Sequence, residues 1–487
     1  MKIAVYSHSI PPAVDGVSKR MASLLQQLCK DGHEVLLFTL ESDPLLENLF
    51  PSSTPIRHIT LASTFLAIYP TKRVAVPTLG NQLVIFNALQ RERPDVLHCT
   101  LDGISPLFIL AAKILNVPAV GSVHTDVQQL LTEMGVWSIV GAATSFKEGV
   151  ESRLLHSCAT TSPSFKAKLG QGGVLCDHVL KTGVKVSLFR PEARSKEVRD
   201  RLTFGNPDGL LVVYVGRFGP EKRLDKLVSM CDRVDNVYLA LMGDGAMGPW
   251  LSERHGSWTN QGQGRTKGGI YCRTGFLGHE DLAPVYASAD VHVSCSHFET
   301  LGNTVLEAHA CGTSVIVPKA QGFIDTVTHE RDGFLFDGTR LSDGAACLAR
   351  LRDDRSMCRA MGERGRAKVS MQSPERVSRD TVAWYQRACI KAKEDSVTMT
   401  LERAISITKG TLLVMLVVSF WFTTDMVHAF IRASWVCYAR LICVAKSLIR
   451  YCQHTRNALG NSSFFNKISN TYKVSVPLQY VVTTISG

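Results

Sequence analysis

Fourteen cysteines are scattered singly through the 487 residues, and no two of them form a C-x-x-C pair. A disulfide framework is therefore not what organises this chain, and a reducing compartment is expected. His292, Cys295 and His297 lie close together but alternate along an expected strand and its exit, so they read as packing residues rather than metal ligands. No charged and then apolar leader precedes the strand-type KIAVYSH at residues 2–8, and no secretory signal is expected. Excess charge is scarce in the body. Residues 401–487 hold nine bases and two acids, which is +7 of the net +11 and leaves +4 for residues 1–400. So balanced a body carries no nucleic-acid footprint. Long apolar runs are scarce too. Gly410–Thr424 is fifteen residues without charge, short of the roughly twenty that a span needs. Extended to Ile431, the run takes in Asp425 and His428. Beyond it Arg432, Arg440, Lys446 and Arg450 share one helical face opposite Tyr438, Leu441, Leu448 and Ile449. The expectation is a C-terminal helical tail associated with a membrane surface, with 410–431 either spanning the bilayer or lying in it.

What the chain does have is rhythm. Short apolar runs at 2–7, 34–40, 96–99 and 118–123 alternate with helical spacing at 17–30, 82–91, 105–115 and 139–157. The rhythm restarts at LLVVYVG (210–216) and continues through 237–243, 269–276, 289–294 and 313–318, with helices expected at 221–231, 279–288 and 304–311. This is the β-α-β pattern of a doubly wound parallel sheet, present twice. Residues 41–80 are rich in proline and read as irregular; 256–268 reads as a Gly- and Gln-rich insertion. The expected domains are 1–182 and 210–374, each Rossmann-like, with a linker region at 183–209, a further helix at 375–400 and the tail at 401–487.

The densest stretch is SHFETLGNTVLEAHACG, residues 296–312. Glu299 and Glu307 stand eight apart, just over two helical turns. With Glu299 in the loop after a strand, and Gly302, Asn303 and Thr304 opening the helix that carries Glu307, both carboxylates can face one cleft at the C-terminal ends of the strands. The plainer alternative is a carboxylate near a helix N-terminus and another on a solvated face. Arg217 and Lys222, in VGRFGPEKRLDKL, sit across a strand–loop–helix corner and suit concentrated negative charge. Gly16, before the first helix, lets backbone approach a phosphate at a positive helix end, or is an ordinary turn glycine. Gly243, Gly245 and Gly248 have G-x-G-x-x-G spacing without an acid about twenty residues on, and read as a tight turn. His124 follows a strand in VGSVHTD, and is a ligand-side residue or a satisfied loop histidine.

FETLGNTVLEAHACGTSVIVP resembles the E-x7-E signature of retaining GT-B glycosyltransferases of family four, with His309 where Met is usual and Ser314 where Pro is common. The VGRFGPEKRLDKL segment is similar to that family's second motif, and the likeness extends over residues 1–395. It implies an α/β fold of two Rossmann-like domains facing across a cleft, with residues 375–394 crossing back to the first. It implies that a hexose is moved from a nucleotide sugar. In these roles Glu307 would bind the ribose hydroxyls, Glu299 the donor sugar, Arg217 and Lys222 the diphosphate, and Gly16 would admit it. His124 would support the sugar, Phe276 would lie beside the base, and Gly302, Asn303 and Thr304 would line the substrate side. No D-x-D pair stands at a matching place, so no metal and no cofactor are expected.

The DGVSKR loop, with its single glycine, most resembles sulfoquinovosyltransferases that use UDP-sulfoquinovose and diacylglycerol. There Lys19 and Arg20 could face the sulfonate. The expected partners are a nucleotide sugar, UDP-linked by preference, a lipid acceptor and a membrane surface, with the catalytic domains on a cytosolic or plastid side and no nucleic acid. Two alternatives stay open: a UDP-glucose or GDP-mannose enzyme acting on a phosphoinositide or other glycolipid, and a non-catalytic sugar-binding scaffold.

Overall fold

β1 (Lys2–Tyr6) is buried from Ile3 to Tyr6, and a strand apolar on both sides needs cover on both faces. In the computed structural model it has that cover. The structure describes residues 1–398 apart from 12, 14, 41–49, 51–53, 67–68, 134–137, 256–267 and 276. The strands run β1, β2 (Glu34–Thr39), β3 (Ile56–Thr60), β4 (Ser63–Leu66), β5 (Tyr69–Ala75), β6 (Val96–Thr100), β7 (Ala119–Val123), β8 (Ser157–Thr160) and β9 (His178–Val179). Seven of them form a parallel sheet in the order β3-β2-β1-β6-β7-β8-β9, and β4 pairs antiparallel with β5. The second sheet is also parallel, in the order β12-β11-β10-β13-β14-β15, from β10 (Leu210–Val215), β11 (Val237–Gly243), β12 (Gly268–Thr274), β13 (Val291–Val293), β14 (Ser314–Pro318) and β15 (Phe334–Phe336). Each sheet has cores on both faces. Strand order reverses between β1 and β6 and between β10 and β13, and such switch points open a crevice at the strands' C-terminal ends.

The helices that place the site are α1 (Gly16–Lys30), α2 (Leu79–Glu92), α3 (Ser138–Leu154), α4 (Pro163–Gln171), α5 (Leu224–Cys231), α6 (His279–Ser288), α7 (Asn303–Ala310), α8 (Gly322–Thr326) and α9 (Pro374–Thr398). α9 returns to the first lobe. Trp384, Tyr385 and Ala388 sit in the core under β1 and α1. Trp384 Nε1 donates to Ser157 Oγ at 2.6 Å, and Tyr385 Oη meets His98 Nδ1 at 2.8 Å.

Several local expectations differ from what is seen. The proline-rich 41–80 region contains β3, β4 and β5 and the start of α2. Pro70 lies in the two-stranded hairpin, where a missing N–H is tolerated, and Pro55 lies just before an edge strand. The polar 183–209 region buries Phe189 and Leu202 in the second lobe's core and forms a helix at Lys196–Leu202. The strand expected over 289–294 is shorter, Val291–Val293. Among the described residues no helix is long and apolar enough to cross a membrane, and the whole tail from 401 lies outside them.

An acid cluster is buried behind the first sheet's C-terminal edge. Tyr6 Oη donates to Asp102 at 2.5 Å, Ser105 Oγ to Glu151 at 2.9 Å, and Lys147 Nζ to Glu151 at 2.8 Å. Glu148, 5% exposed, has its carboxyl pushed up to about 8 by burial, against the pull of Lys147, with Glu151 and Asp126 adding to the rise. A folded state that holds this proton binds more protons than the unfolded chain between pH 4.5 and about 8, so its contribution to stability is full below that window and is lost as pH rises through it. Stability is expected to fall between about pH 7 and about pH 8 by a slope of about 1 kcal/mol per unit from this group. Glu148→Gln should flatten that slope in denaturant titrations.

Candidate active site

The turn after β10 carries the basic pair. Arg217 follows Gly216 at the strand's end, and a 3-10 turn at Pro220–Lys222 swings Lys222 inward before α5. The MGDGAMG turn packs beside it, where a Cβ on Gly243 would lie 1.8 Å from the Gly216 carbonyl oxygen. Arg217 is held by Glu221 at 2.7 Å, and Lys222 Nζ lies 3.1 Å from Glu299 Oε2. Lys222 and Glu299 are 19% and 27% exposed, so the pair faces a partly open space. A partly exposed ion pair is weakly held and can exchange partners when a ligand enters.

Glu307 sits on α7, whose first turn follows Gly302 in the left-handed conformation, φ 90°. Its side chain is buried, and Tyr286 Oη donates to it at 3.0 Å. Burial raises its carboxyl, while Lys19 and the Tyr286 hydrogen bond pull it back down. Lys19 belongs to α1 in the other lobe, so this electrostatic contact runs between the lobes. The same lysine, with Lys185, adds to the burial that lowers His279 to about 4.

Gly16 opens α1, and Asp15 caps it by accepting from the Ser18 amide at 2.8 Å. Asn303 Nδ2 donates to the Gly16 carbonyl at 3.2 Å, again between lobes. His124, at the end of β7, is buried. Its Nε2 meets Ser122 Oγ at 2.8 Å, and burial, then Arg20, His8 and His98, hold the ring neutral. Thr300 Oγ1 donates to the His124 carbonyl at 2.9 Å, and Thr161 Oγ1 donates to the Thr300 carbonyl at 3.0 Å. The segment beside Glu299 is thus tied to the first lobe twice.

Most of the residues singled out from sequence therefore lie along one seam: Gly16, Lys19, His124, Lys222, Glu299, Gly302, Asn303 and Glu307, with Arg217 one turn away. Two point elsewhere. Arg20, next to Lys19 on a helix and so turned about 100° from it, is buried and donates to the Leu180 and Lys181 carbonyls. Thr304 Oγ1 faces His292 Nε2 at 3.1 Å, under the helix. Phe276 lies outside the described residues. His292 itself is buried against the Val213 carbonyl at 3.1 Å.

Among the described residues, the buried polar atoms without a hydrogen-bond partner include Ser18 Oγ and His124 Nδ1 from the first lobe and Asn303 Oδ1 and Gln321 Oε1 from the second. Buried polar atoms are nearly always paired, so this gathering suits a polar ligand. Sequence reasoning missed the turn that supports Glu299. The Gly322 amide donates to the Glu299 carbonyl at 2.8 Å, and Thr326 Oγ1 donates to the Leu301 carbonyl at 2.6 Å. A Cβ on Gly322 would meet the Thr300 carbonyl carbon at 2.4 Å. No spacing rule marks a glycine needed for that contact.

Comparison with known proteins finds matches over both lobes. The family described as Glycosyltransferase Family 4 matches residues 14–164, and Glycosyl transferases group 1 matches residues 199–368. The chain is 29% identical to sulfoquinovosyl transferase SQD2 of Arabidopsis thaliana, over 76% of this chain and 70% of that one. It is 30% identical to a GDP-mannose-dependent alpha-mannosyltransferase of Mycobacterium tuberculosis, over 69% and 83%. It is 25% identical to alpha-monoglucosyldiacylglycerol synthase of Streptococcus pneumoniae, over 71% and 77%. Among solved structures, Anabaena Alr3699/HepE in complex with UDP superposes with a TM-score of 0.63 at 16% identity, covering 79% of this chain and 100% of that one.

Gly322→Ala should destabilise the protein by about 1–3 kcal/mol, the usual cost of forcing a methyl group into filled space. The measurement is the denaturant midpoint. An unchanged midpoint would mean that the turn does not press on the Glu299 loop.

Proposed function

The chain belongs to the GT-B glycosyltransferases of family four and is a hexosyltransferase, and from that premise we propose that it moves a hexose from a UDP-sugar to a lipid acceptor, in the manner of a sulfoquinovosyltransferase making a sulfolipid. The observation that carries the reading is the partly exposed Lys222–Glu299 pair, together with a buried Glu307 on which Lys19 acts from across the seam. In this proposal the donor's diphosphate takes Lys222 and Arg217 from their carboxylate partners. Glu299, freed, holds donor sugar hydroxyls, and Glu307 accepts from the ribose hydroxyls. Gly16 lets the diphosphate approach α1's positive end, and His124 supports the sugar through its unpaired Nδ1. As the sugar–oxygen bond breaks, charge grows on the leaving phosphate, where Lys222 and Arg217 already stand. Stabilising developing charge with preplaced groups is the largest single source of rate. The acceptor hydroxyl attacks from the same face, and its proton passes to the leaving phosphate, which retains configuration.

For the sulfonate, Lys19 is the candidate ahead of Arg20, which is buried and donates through Nη2 to backbone carbonyls. A specific observation favours one rival, a GDP-mannose donor: the mycobacterial relative named for it is 30% identical.

A lipid acceptor draws support from the SQD2 and diacylglycerol-synthase relatives and from a surface on the first lobe. Phe65, Leu79 and Leu83 are 52%, 75% and 52% exposed, and Arg73 lies 4.4 Å over the Phe65 ring. Residues 54–93 carry Arg57, Lys72, Arg73, Arg91 and Arg93 against one acid, Glu92. Because α2 leads into β6 and runs antiparallel to it, the helix start that carries Leu79 and Leu83 lies at the sheet's C-terminal edge, beside the seam. Exposed apolar side chains on a basic segment suit an anionic bilayer. The basic tail at 401–487 would add to it. The proposed setting is a membrane facing a reducing compartment, cytosolic or plastid.

Three experiments test this. Lys222→Met and Glu299→Gln should each lower kcat for UDP-hexose transfer by about 100-fold or more with little loss of stability, because the pair is partly exposed. Lys19→Ala should narrow the preference for UDP-sulfoquinovose over UDP-glucose by about tenfold. Full activity in the first two, or an unmoved preference in the third, would remove the corresponding assignment. Leu79→Glu combined with Leu83→Glu should weaken cosedimentation with phosphatidylglycerol vesicles by about tenfold or more while leaving donor hydrolysis in solution unchanged.

A further inference from the structure

Gln321 stands at the start of α8 with φ 39° and ψ −128°. Only glycine takes that conformation without strain, since a side chain there crowds the backbone. A strained residue persists where its surroundings hold it. What holds Gln321 lies in the other lobe. Its Nε2 donates to Gln129 Oε1 at 2.6 Å and to Asp126 Oδ2 at 3.3 Å, and Lys168 fixes both acceptors, pairing with Asp126 and donating to Gln129 at 2.6 Å. One turn along α8, Asp325 accepts from the Ser164 amide of α4 at 2.9 Å. Residues 321 and 325 thus grip the first lobe at two places. Between them Gly322 grips the Glu299 loop through its amide and through close backbone contact with Thr300.

We infer that Gln321 is a positioning residue, a sprung latch whose contact across the seam sets the Glu299 loop when the lobes meet; the inference rests on Glu299 acting on the donor sugar as proposed above. The latch works because adjacent residues serve different partners, Gln321 the first lobe and Gly322 the Glu299 loop. When the seam parts, Gln321 loses Gln129 and Asp126, and the strained backbone is free to relax. Relaxation turns the Gly322 amide, and with it the support under the Glu299 carbonyl. Lobe contact and placement of the donor-sugar carboxylate are then one event, so the acid is held in place only in the closed arrangement. His124 and Thr161 share in that event, because Thr300 bonds to both.

The test uses the full chain and Gln321→Gly, which removes the side-chain bonds and the strain together. The thermal midpoint should rise or hold. kcat for transfer from a UDP-hexose should fall about tenfold with the donor KM within about threefold, the signature of a group that acts in the transition state rather than in binding. Amide exchange in peptides covering 163–166 and 299–302 should speed up. Gln129→Ala, which removes one acceptor and keeps the strain, should lower kcat in the same direction, and the double variant should be no worse than Gln321→Gly alone, as for two ends of one contact. A Gln321→Gly protein with wild-type kcat and unchanged exchange overturns the latch. So does one whose midpoint and activity fall together, since that is a stabilising residue only. If the wild-type protein turns over no UDP-hexose, the functional reading fails, while the exchange comparison still decides whether Gln321 couples the lobes to the Glu299 loop.

Discussion

Thr300 is the residue on which the seam turns. Its hydroxyl donates to the His124 carbonyl and its carbonyl accepts from Thr161, so one residue joins the second lobe to two strand ends of the first. Glu299 is its chain neighbour. The carboxylate that meets Lys222 therefore takes its position from both lobes. A loop so held has little freedom, and a preplaced charge does not have to reorganise when chemistry begins.

The electrostatics follow the same division. The second lobe carries Arg217, Lys222, Glu299 and Glu307, and the first lobe answers with Lys19 and the positive end of α1. Arg217, Lys222 and Lys19 each have a carboxylate to lean on, Glu221, Glu299 and Glu307 in turn, so the charges are balanced. A doubly charged diphosphate tips that balance. It competes best for Lys222, whose partner is more than a quarter exposed, and less well for groups sunk behind the sheets. Buried polar atoms left single along the seam add a second, directional reason for a ligand rich in hydroxyls to settle there.

Much of this was legible in the sequence. The fully apolar strands and the twice-repeated β-α-β rhythm are local signals, and the two parallel sheets follow from them; the spacing of Glu299 and Glu307 is local too, and puts one in the loop and the other on α7. What was not legible depends on direction or on contact at long range. Lys19 and Arg20 are adjacent letters, yet helix geometry sends one to the seam and the other to the Leu180 and Lys181 carbonyls. Gly322 reads as one more turn glycine until Thr300 is seen against it. Gln321 gives no sign of strain, because strain belongs to a backbone angle that no spacing encodes. The hairpin of β4 and β5 hides among prolines that an edge can tolerate.

In the proposed reading one nucleotide sugar bridges the two lobes at this seam. The most direct measurement is a crystal structure of the protein with UDP. The diphosphate is expected within about 3 Å of Lys222 Nζ and the Arg217 guanidinium, the usual hydrogen-bond reach, with the ribose hydroxyls on Glu307 and the backbone of Gly16 close by. UDP bound anywhere else, or bound here with Glu307 still engaged only by Tyr286 and Lys222 still on Glu299, would contradict it.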